Sequence, residues 1–382
     1  MRHTLFLMIL LLSLSCTSRS QAKRDSIIDT LSDSLSDSIF PTDTLRLLFV
    51  GDLMQHQGQI NAARTSTGYD YSTCFAYVKE EIKKADLSIA NLEVTLGGKP
   101  YKGYPAFSAP DEFLTAIHDA GFNVLVTANN HSLDRGKSGL ERTIQLIDSL
   151  KVPHAGTYIN ADEREKKYPL LLEKNGFRIA LLNYTYGTNG IPVTPPNIVN
   201  YIDTAIIVKD IEESKAMKPD AIIACMHWGI EYQSLPDKEQ KFLTDWLLRK
   251  GVNHIIGCHP HVVQPIEIRK DSLTNGKHLV VYSLGNYISN MSARRTDGGL
   301  MVKMELVKDS TTRLSHCEYS LVWTARPAQS GKKNHQLLPI NFPTDSISVN
   351  ARNSLRIFAN DARSLFSKHN RGIKEYLFYK KK

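Results

Sequence analysis

From Leu45 onward the chain is written as short apolar runs, each closed by polar residues and separated by stretches of helical spacing. Residues 45–50 end in Gly51-Asp52, 87–90 in Asn91-Leu92-Glu93, and 124–128 in Asn129-Asn130-His131. Residues 179–184 end in a Gly- and Pro-rich loop, 221–226 in His227-Trp228-Gly229, 254–257 in Cys258-His259-Pro260-His261, and 279–283 in Leu284-Gly285-Asn286. Continuous apolar runs of this length predict strands buried on both faces. Apolar residues at helical spacing predict helices over 71–84, 111–120, 138–150, 204–217 and 237–250. Pro110 opens one of these, and Gly121 and Gly251 stand where two of them should stop. Strands alternating with helices predict an α/β fold with buried sheets. Beyond Gly299, residues 300–307 and 314–322 read as a closing hairpin, 327–350 as a loop or arm, and 353–366 and 374–379 as short helices.

The N-terminus has a different character. Met1-Arg2-His3 precedes an apolar run over 4–14 and then Ser15-Cys16. The run is too short for an ordinary membrane-spanning helix and fits the apolar region of a secretory signal. A small residue directly before a cysteine is similar to a bacterial lipobox, with Ser13 where leucine is commoner. Lipid on Cys16 would attach the protein to a membrane; in a plain cleavable signal Cys16 would be incidental. Leu31-Ser-Asp-Ser34 and Leu35-Ser-Asp-Ser38 repeat a unit that weakens helices, so a flexible spacer is expected. The plan is a signal over 1–15, a lipid-anchored tether over 16–43, an α/β domain over 44–326 and a C-terminal extension over 327–382.

Composition changes this picture little. An apolar share of 42% and a charged share of 23% are ordinary for a globular chain, and 382 residues suffice for one large domain with appendages or for two domains. The net charge of +8 is spread along the chain. Its one cluster, Lys380-Lys381-Lys382 after Lys374, reads as a solvated end. No nucleic-acid motif accompanies the charge, so nucleic acid is not an expected partner. Cys74, Cys225, Cys258 and Cys317 form no CxxC pair. Cys225 and Cys258 read as small buried residues rather than parts of a disulfide framework.

The polar residues that close the strands carry the chemistry. Ligands of open α/β sheets gather at the carboxyl ends of strands, so side chains distant in sequence can converge there. Asp52 and Glu93 offer anionic oxygens, His227, His259 and His261 imidazoles, and Asn130 a carbonyl oxygen. Mixed N/O ligation suits Zn, Mn or Fe(II). Two neighbouring cations would need a bridging carboxylate, which Asp52 or Glu93 can supply, and such a pair clamps a phosphoester for in-line attack. Plainer readings stand beside these. Asp52 can cap a turn, Asp134 can cap a helix beginning near Gly136, His227 can be a packed core histidine, and His259 and His261 can serve only the turn around Pro260.

The segments Phe49-Val-Gly-Asp-Leu-Met54, Ala90-Asn-Leu-Glu93, Asn129-Asn-His-Ser-Leu-Asp-Arg-Gly136, His227-Trp-Gly-Ile-Glu-Tyr232, Gly257-Cys-His-Pro-His261 and Tyr282-Ser-Leu-Gly-Asn286 resemble, in order, the bacterial capsule-synthesis protein family of the CapA/PgsA type. That family is associated with poly-γ-glutamate capsule formation, and its domain resembles the calcineurin-like metallophosphoesterases. The resemblance covers about residues 45–326. It implies a layered α/β/β/α sandwich with a short C-terminal extension, holding one or two divalent ions (Mn, Zn or Fe). By the same resemblance Asp52 and His261 would bind the first metal, Asn130, His227 and His259 the second, and Glu93 would sit at the bridging position. His131 would protonate a leaving group, with Asp134 orienting it and stabilising its charged form. Asn286 would support the ligands from behind or contact substrate, Glu231 would contact substrate, and Arg135, Lys102, Arg294 and Arg295 would attract its negative charge. This sequence departs from the superfamily at Leu53-Met54, where Asp-x-His is usual; His56 is the candidate substitute ligand. Glu93 replaces the usual bridging Asp.

The implied function is an envelope-anchored, metal-dependent hydrolase of a phosphoester or related anionic polymer linkage. The alternative is a non-catalytic accessory protein for polymer assembly, attachment or export, with the capsule-synthesis machinery as its partner. A third reading is a lipoprotein that only binds an anionic polymer.

Overall fold

The computed structural model describes residues 43–271 and 276–379. The expected signal, Cys16 and all but the last residue of the expected tether lie outside the described residues. The strand Asp43–Leu53 lies at the heart of the first sheet. It pairs in parallel with Leu87–Leu92 on one side and antiparallel with Gly298–Lys308 on the other. The sheet runs in the order Gln336–Pro339, Thr312–Ala325, Gly298–Lys308, Asp43–Leu53, Leu87–Leu92, Val124–Val126, His154–Ala155. Asn286–Ile288 joins it beside Asp43–Leu53, and Lys374–Glu375 beside Thr312–Ala325. A second sheet has the order Ile266–Lys270, Lys277–Val281, His254–Cys258, Ala221–His227, Phe177–Thr185, Leu170–Lys174.

The sequence explains how these sheets stack. Side chains alternate across a strand, and every residue from Leu47 to Met54 is buried. Leu47 and Phe49 therefore enter one core with Ile89, facing Ile179, Ile223 and Ile256 of the second sheet. Leu48 and Val50 enter another with Phe113, Ile117 and Ile147 of the helices Asp111–Ala120 and Gly136–Ser149. On the far side, Leu182, Ile222 and Ala224 meet Ile207, Leu243 and Leu247 of Thr204–Ala216 and Lys238–Lys250. The result is the layered α/β/β/α sandwich. Each fully buried Leu, Ile or Phe contributes roughly 1.5–3 kcal/mol by leaving water.

Local signals act where the sequence places them. Asp237 caps Lys238–Lys250 in a capping box with Gln240, and Gly251 ends that helix at φ 104°, where a side chain would be strained. Other expectations are corrected. Within 71–84 only Lys79–Ile82 is α-helical. Tight i→i−3 bonds, such as Cys74 N–H to the Tyr71 carbonyl and Val78 N–H to Phe75, bury Tyr71, Cys74, Phe75 and Val78 without a helix. The expected loop over 327–350 contains the helix Pro327–Ser330 and the strand Gln336–Pro339. The expected helix over 374–379 instead begins with a strand, Lys374–Glu375. The helix Val349–His369 buries Ala351, Leu355, Phe358, Ala359, Ala362 and Phe366 in the core between the sheets. No helix among the described residues is long and apolar enough to cross a membrane.

At its carboxyl end the Asp43–Leu53 strand breaks register between Asp52 and Leu53, and Asp52 N–H bonds the Gly285 carbonyl at 3.0 Å. A Cβ on Gly51 would collide with that same Gly285 oxygen. The glycine is what lets this strand approach the Asn286–Ile288 segment closely enough to bring both polar ends together.

Candidate metal centre

The carboxyl ends of parallel strands from both sheets meet around one buried cluster. Asp52 lies at the end of Asp43–Leu53, Glu93 follows Leu87–Leu92, and Asn130 and His131 follow Val124–Val126. His227 ends Ala221–His227, and His259 and His261 follow His254–Cys258. All are buried. Asp52, Glu93 and His227 each offer one ligating atom, and these atoms lie within 4.8 Å of one another. His227 Nε2 stands 2.8 Å from Asn130 Oδ1 and 3.8 Å from Glu93 Oε1. His261 Nδ1 is 3.4 Å from Asp52 Oδ2, and its Nε2 is 3.9 Å from Glu93 Oε1. The His259 ring centre lies 4.9 Å from that of His227 and 6.0 Å from that of His261.

These groups fit a divalent cation. Asp52 Oδ2, Glu93 Oε1 and His259 Nδ1 are buried without a hydrogen-bond partner. A polar atom left so costs about 1–3 kcal/mol, and more when charged. Burial and the neighbouring Asp52 carboxylate push Glu93 well above the usual carboxylate range. Burial also pushes Asp52 upward, but contact with His261 outweighs it and holds Asp52 below its ordinary value. Burial and the His259 ring hold His227 well below the usual imidazole range, and burial with His261 brings His259 down to about 3. Burial pushes His261 down too, but the Asp52 carboxylate outweighs it and raises that ring above its ordinary value; the neutral His227 and His259 imidazoles and crowded carboxylates with free lone pairs are the donor set that N/O-ligated transition metals require.

A residue that the sequence pattern does not single out sits at the centre. Asn91 Nδ2 donates to Asp52 Oδ1 at 2.8 Å and to Glu93 Oε2 at 3.3 Å, and lies 3.3 Å from His227 Nδ1. Its Oδ1 accepts from Asn129 Nδ2. The available signal is spacing: Asn91 and Glu93 are two apart and share a strand face.

His131 Nδ1 lies 2.7 Å from Asp134 Oδ2, which also accepts the Phe107 N–H at 2.8 Å. Asp134 thus orients the histidine. It does not cap the helix Gly136–Ser149, whose N-cap position is Arg135. Asn286 is fully buried, its Oδ1 3.0 Å from His261 Nδ1 and its Nδ2 donating to the Thr296 carbonyl. With both ends of its amide bonded to the protein, it positions His261. Glu231 is half-buried, and its charge reaches Glu93 and His261. His56 stands outside the Asp52–Glu93–His227 group. Its backbone closes a capping box with Gln59 on the helix Gln57–Ala63, and its Nδ1 accepts the Asn290 N–H at 3.4 Å. Leu53 and Met54 lie in the helix-side core.

His259 (φ 101°), His261 (φ 58°) and Tyr232 (φ 66°) occupy the left-handed region. Each such residue costs about 1–3 kcal/mol, and such strain concentrates at functional sites. Pro260, between the two histidines, accepts the Tyr232 N–H at 2.8 Å, joining the strained turns.

The family model described as "Bacterial capsule synthesis protein PGA_cap" matches residues 46–291. The "Capsule biosynthesis protein CapA" of Bacillus anthracis is 28% identical over 283 residues, 71% of this chain and 66% of that protein. The match thus spans just under two thirds of that relative's length. The "PGA biosynthesis protein CapA" of Bacillus subtilis (strain 168) is 28% identical over 281 residues, 72% of this chain and 71% of that protein. Among solved structures, Haemophilus influenzae NAD nucleotidase matches with TM-score 0.47 at 12% identity, covering 89% of this chain and 65% of that one. The calcineurin-like phosphoesterase YfkN from Bacillus subtilis matches with TM-score 0.44 at 14% identity, covering 85% and 99%.

Proposed function

Because the chain belongs to the bacterial capsule synthesis protein family, matched over residues 46–291, we propose that it is an envelope-anchored, metal-dependent hydrolase of capsule building. It acts on a phosphoester or a related anionic linkage of the polymer. The observation that carries this reading is the convergence of unpartnered buried donor atoms on Asp52, Glu93 and His259 beside His227.

Asp52, Glu93 and His227 would hold the ion, with Asn130, His259 and His261 completing the donor set. When bound, one or two divalent ions polarise a phosphoryl oxygen and lower the pKa of a water. The chain's own residues supply the rest. Asn91 fixes both carboxylates and Asn286 fixes His261. Asp134 holds the Nδ1 edge of His131, leaving Nε2 to deliver a proton to the departing oxygen. Lipid on Cys16 and the tether behind it would keep this domain near the membrane, within reach of the capsule-synthesis machinery.

A second reading, a non-catalytic accessory protein, is favoured by one observation. Leu53 and Met54 point into the helix-side core, so the strand end offers no second ligand after Asp52. One experiment separates the two. The purified protein is assayed for bound transition metal and for hydrolysis of bis(4-nitrophenyl) phosphate, alongside His259→Ala/His261→Ala. Metal and turnover in the parent, both lost in the variant, support the hydrolase; a folded parent without metal sinks it. Survival of the surface polymer in cells carrying the variant selects the accessory role.

A further inference from the structure

Two exposed tyrosines stand against the buried imidazoles. The Tyr186 ring centre is 4.5 Å from that of His259, and the ring is nearly parallel to His227, 10° apart at 6.4 Å. Tyr232 lies 6.1 Å from His261. Yet Tyr186 is 48% exposed and Tyr232 54%, so each ring has one side on the cluster and one in water. Single exposed aromatics need no explanation. Tyr232 does, because it holds a left-handed backbone that bulky residues avoid and recovers little of that strain by burial. Its N–H bond to Pro260 ties the ring to the turn that presents His259 and His261. Strain maintained to hold an exposed ring over a buried cluster marks a contact with something from outside.

Charge narrows what that is. After burial, the group acting most strongly on both phenols is the Glu231 carboxylate, the neighbour of Tyr232 in the chain. A polyanion laid across this mouth would meet Glu231 at the point where it met the tyrosines. An uncharged ring would not, and aromatic faces grip rings by stacking regardless of their substituents.

We propose that Tyr186 and Tyr232 form the walls of a ring-binding subsite, so that the substrate is a phosphoester with an uncharged ring next to phosphorus rather than a polyanionic backbone. This rests on the hydrolase reading above and names its substrate class. The ring is planar or saturated, a base-like or a sugar-like group, and the test distinguishes them.

The protein is loaded with Mn(II), its metal content measured, and the affinities of phenyl-, cyclohexyl- and methylphosphonate compared by calorimetry. At least one ring-bearing phosphonate should bind roughly five- to a hundredfold tighter than methylphosphonate, the range of a base–aromatic stack. Preference for phenyl identifies a planar ring, and equal preference for cyclohexyl a saturated one. Tyr232→Gly relieves the left-handed strain, so it should melt no lower than the parent while losing most of the ring preference. Tyr186→Ala should lose it too, and Tyr232→Phe should keep it. A parent that takes up no metal refutes the hydrolase reading. A metal-loaded parent that binds all three phosphonates alike, or that binds a short poly-γ-glutamate more tightly than any of them, overturns the ring subsite alone.

Discussion

Replacing Glu93 by Gln should make the metal-free protein more stable while destroying its hold on metal. Glu93 is fully buried, its Oε1 has no hydrogen-bond partner, and its leading influences are burial and the Asp52 carboxylate. Both push its pKa well above the ordinary 4.5. The sign comes from linkage. Between the unfolded and folded values the native state binds more protons than the unfolded chain, so this group's contribution to stability falls as pH rises above 4.5. Each pH unit in that window is worth about 1.4 kcal/mol, which sets a ceiling of about 3 kcal/mol at pH 7. Gln carries no such penalty and keeps an oxygen where Asn91 Nδ2 now donates at 3.3 Å. In EDTA, urea unfolding of Glu93→Gln should therefore show about 1–3 kcal/mol more stability than the parent at pH 7 and less than about 1 kcal/mol at pH 5. Mn(II) titration should then stabilise the parent and leave the variant unchanged. A variant that is less stable at pH 7, or whose gain is the same at both pH values, would refute the account of Glu93 as a carboxyl held in place for a cation.

The same geometry sets three further outcomes. Asp134→Asn should keep the metal content of the parent but lower turnover about 10²- to 10⁴-fold, since His131 loses its orienting carboxylate; parallel loss of metal would deny Asp134 its positioning role. Asn91→Leu should weaken Mn(II) binding about 10- to 100-fold, as removal of an outer-shell partner does, and an unchanged metal titration would exclude it from the centre. Gly51→Ala, whose Cβ meets the Gly285 carbonyl, should lose about 1–3 kcal/mol or more by overpacking; a urea midpoint equal to the parent's would show that the two segments can separate freely.

What the sequence discloses and what it hides divide along physical lines. The strands that end in Asp52, His227 and Cys258 are readable because each is an apolar run buried on both faces and cut off by a polar residue. Their convergence accords with the rule for carboxyl ends of parallel strands. Asn91 is hidden because an amide inside a strand has no pattern of its own; only its partners 2.8 and 3.3 Å away give it a role. The left-handed turns at Tyr232, His259 and His261 are hidden for a related reason. No glycine marks them, and tertiary bonds such as Tyr232 N–H to Pro260 hold them. The segment 71–84 misleads because tight turns and a helix can bury the same spacing of apolar residues. The tail misleads because Gln336–Pro339 and Lys374–Glu375 become strands only by pairing with Thr312–Ala325.

The distance in sequence between partners in the fold governs how the protein comes to be folded. The Asp43–Leu53 strand cannot complete its pairing until Gly298–Lys308 exists, and the core between the sheets is not sealed until Phe358 and Phe366 of the Val349–His369 helix arrive. Contacts this distant in sequence make folding slow. A nascent chain therefore carries every residue of the metal centre long before it can assemble one. A premature stop between Asn286 and Val349 would leave the chemistry encoded and the scaffold open.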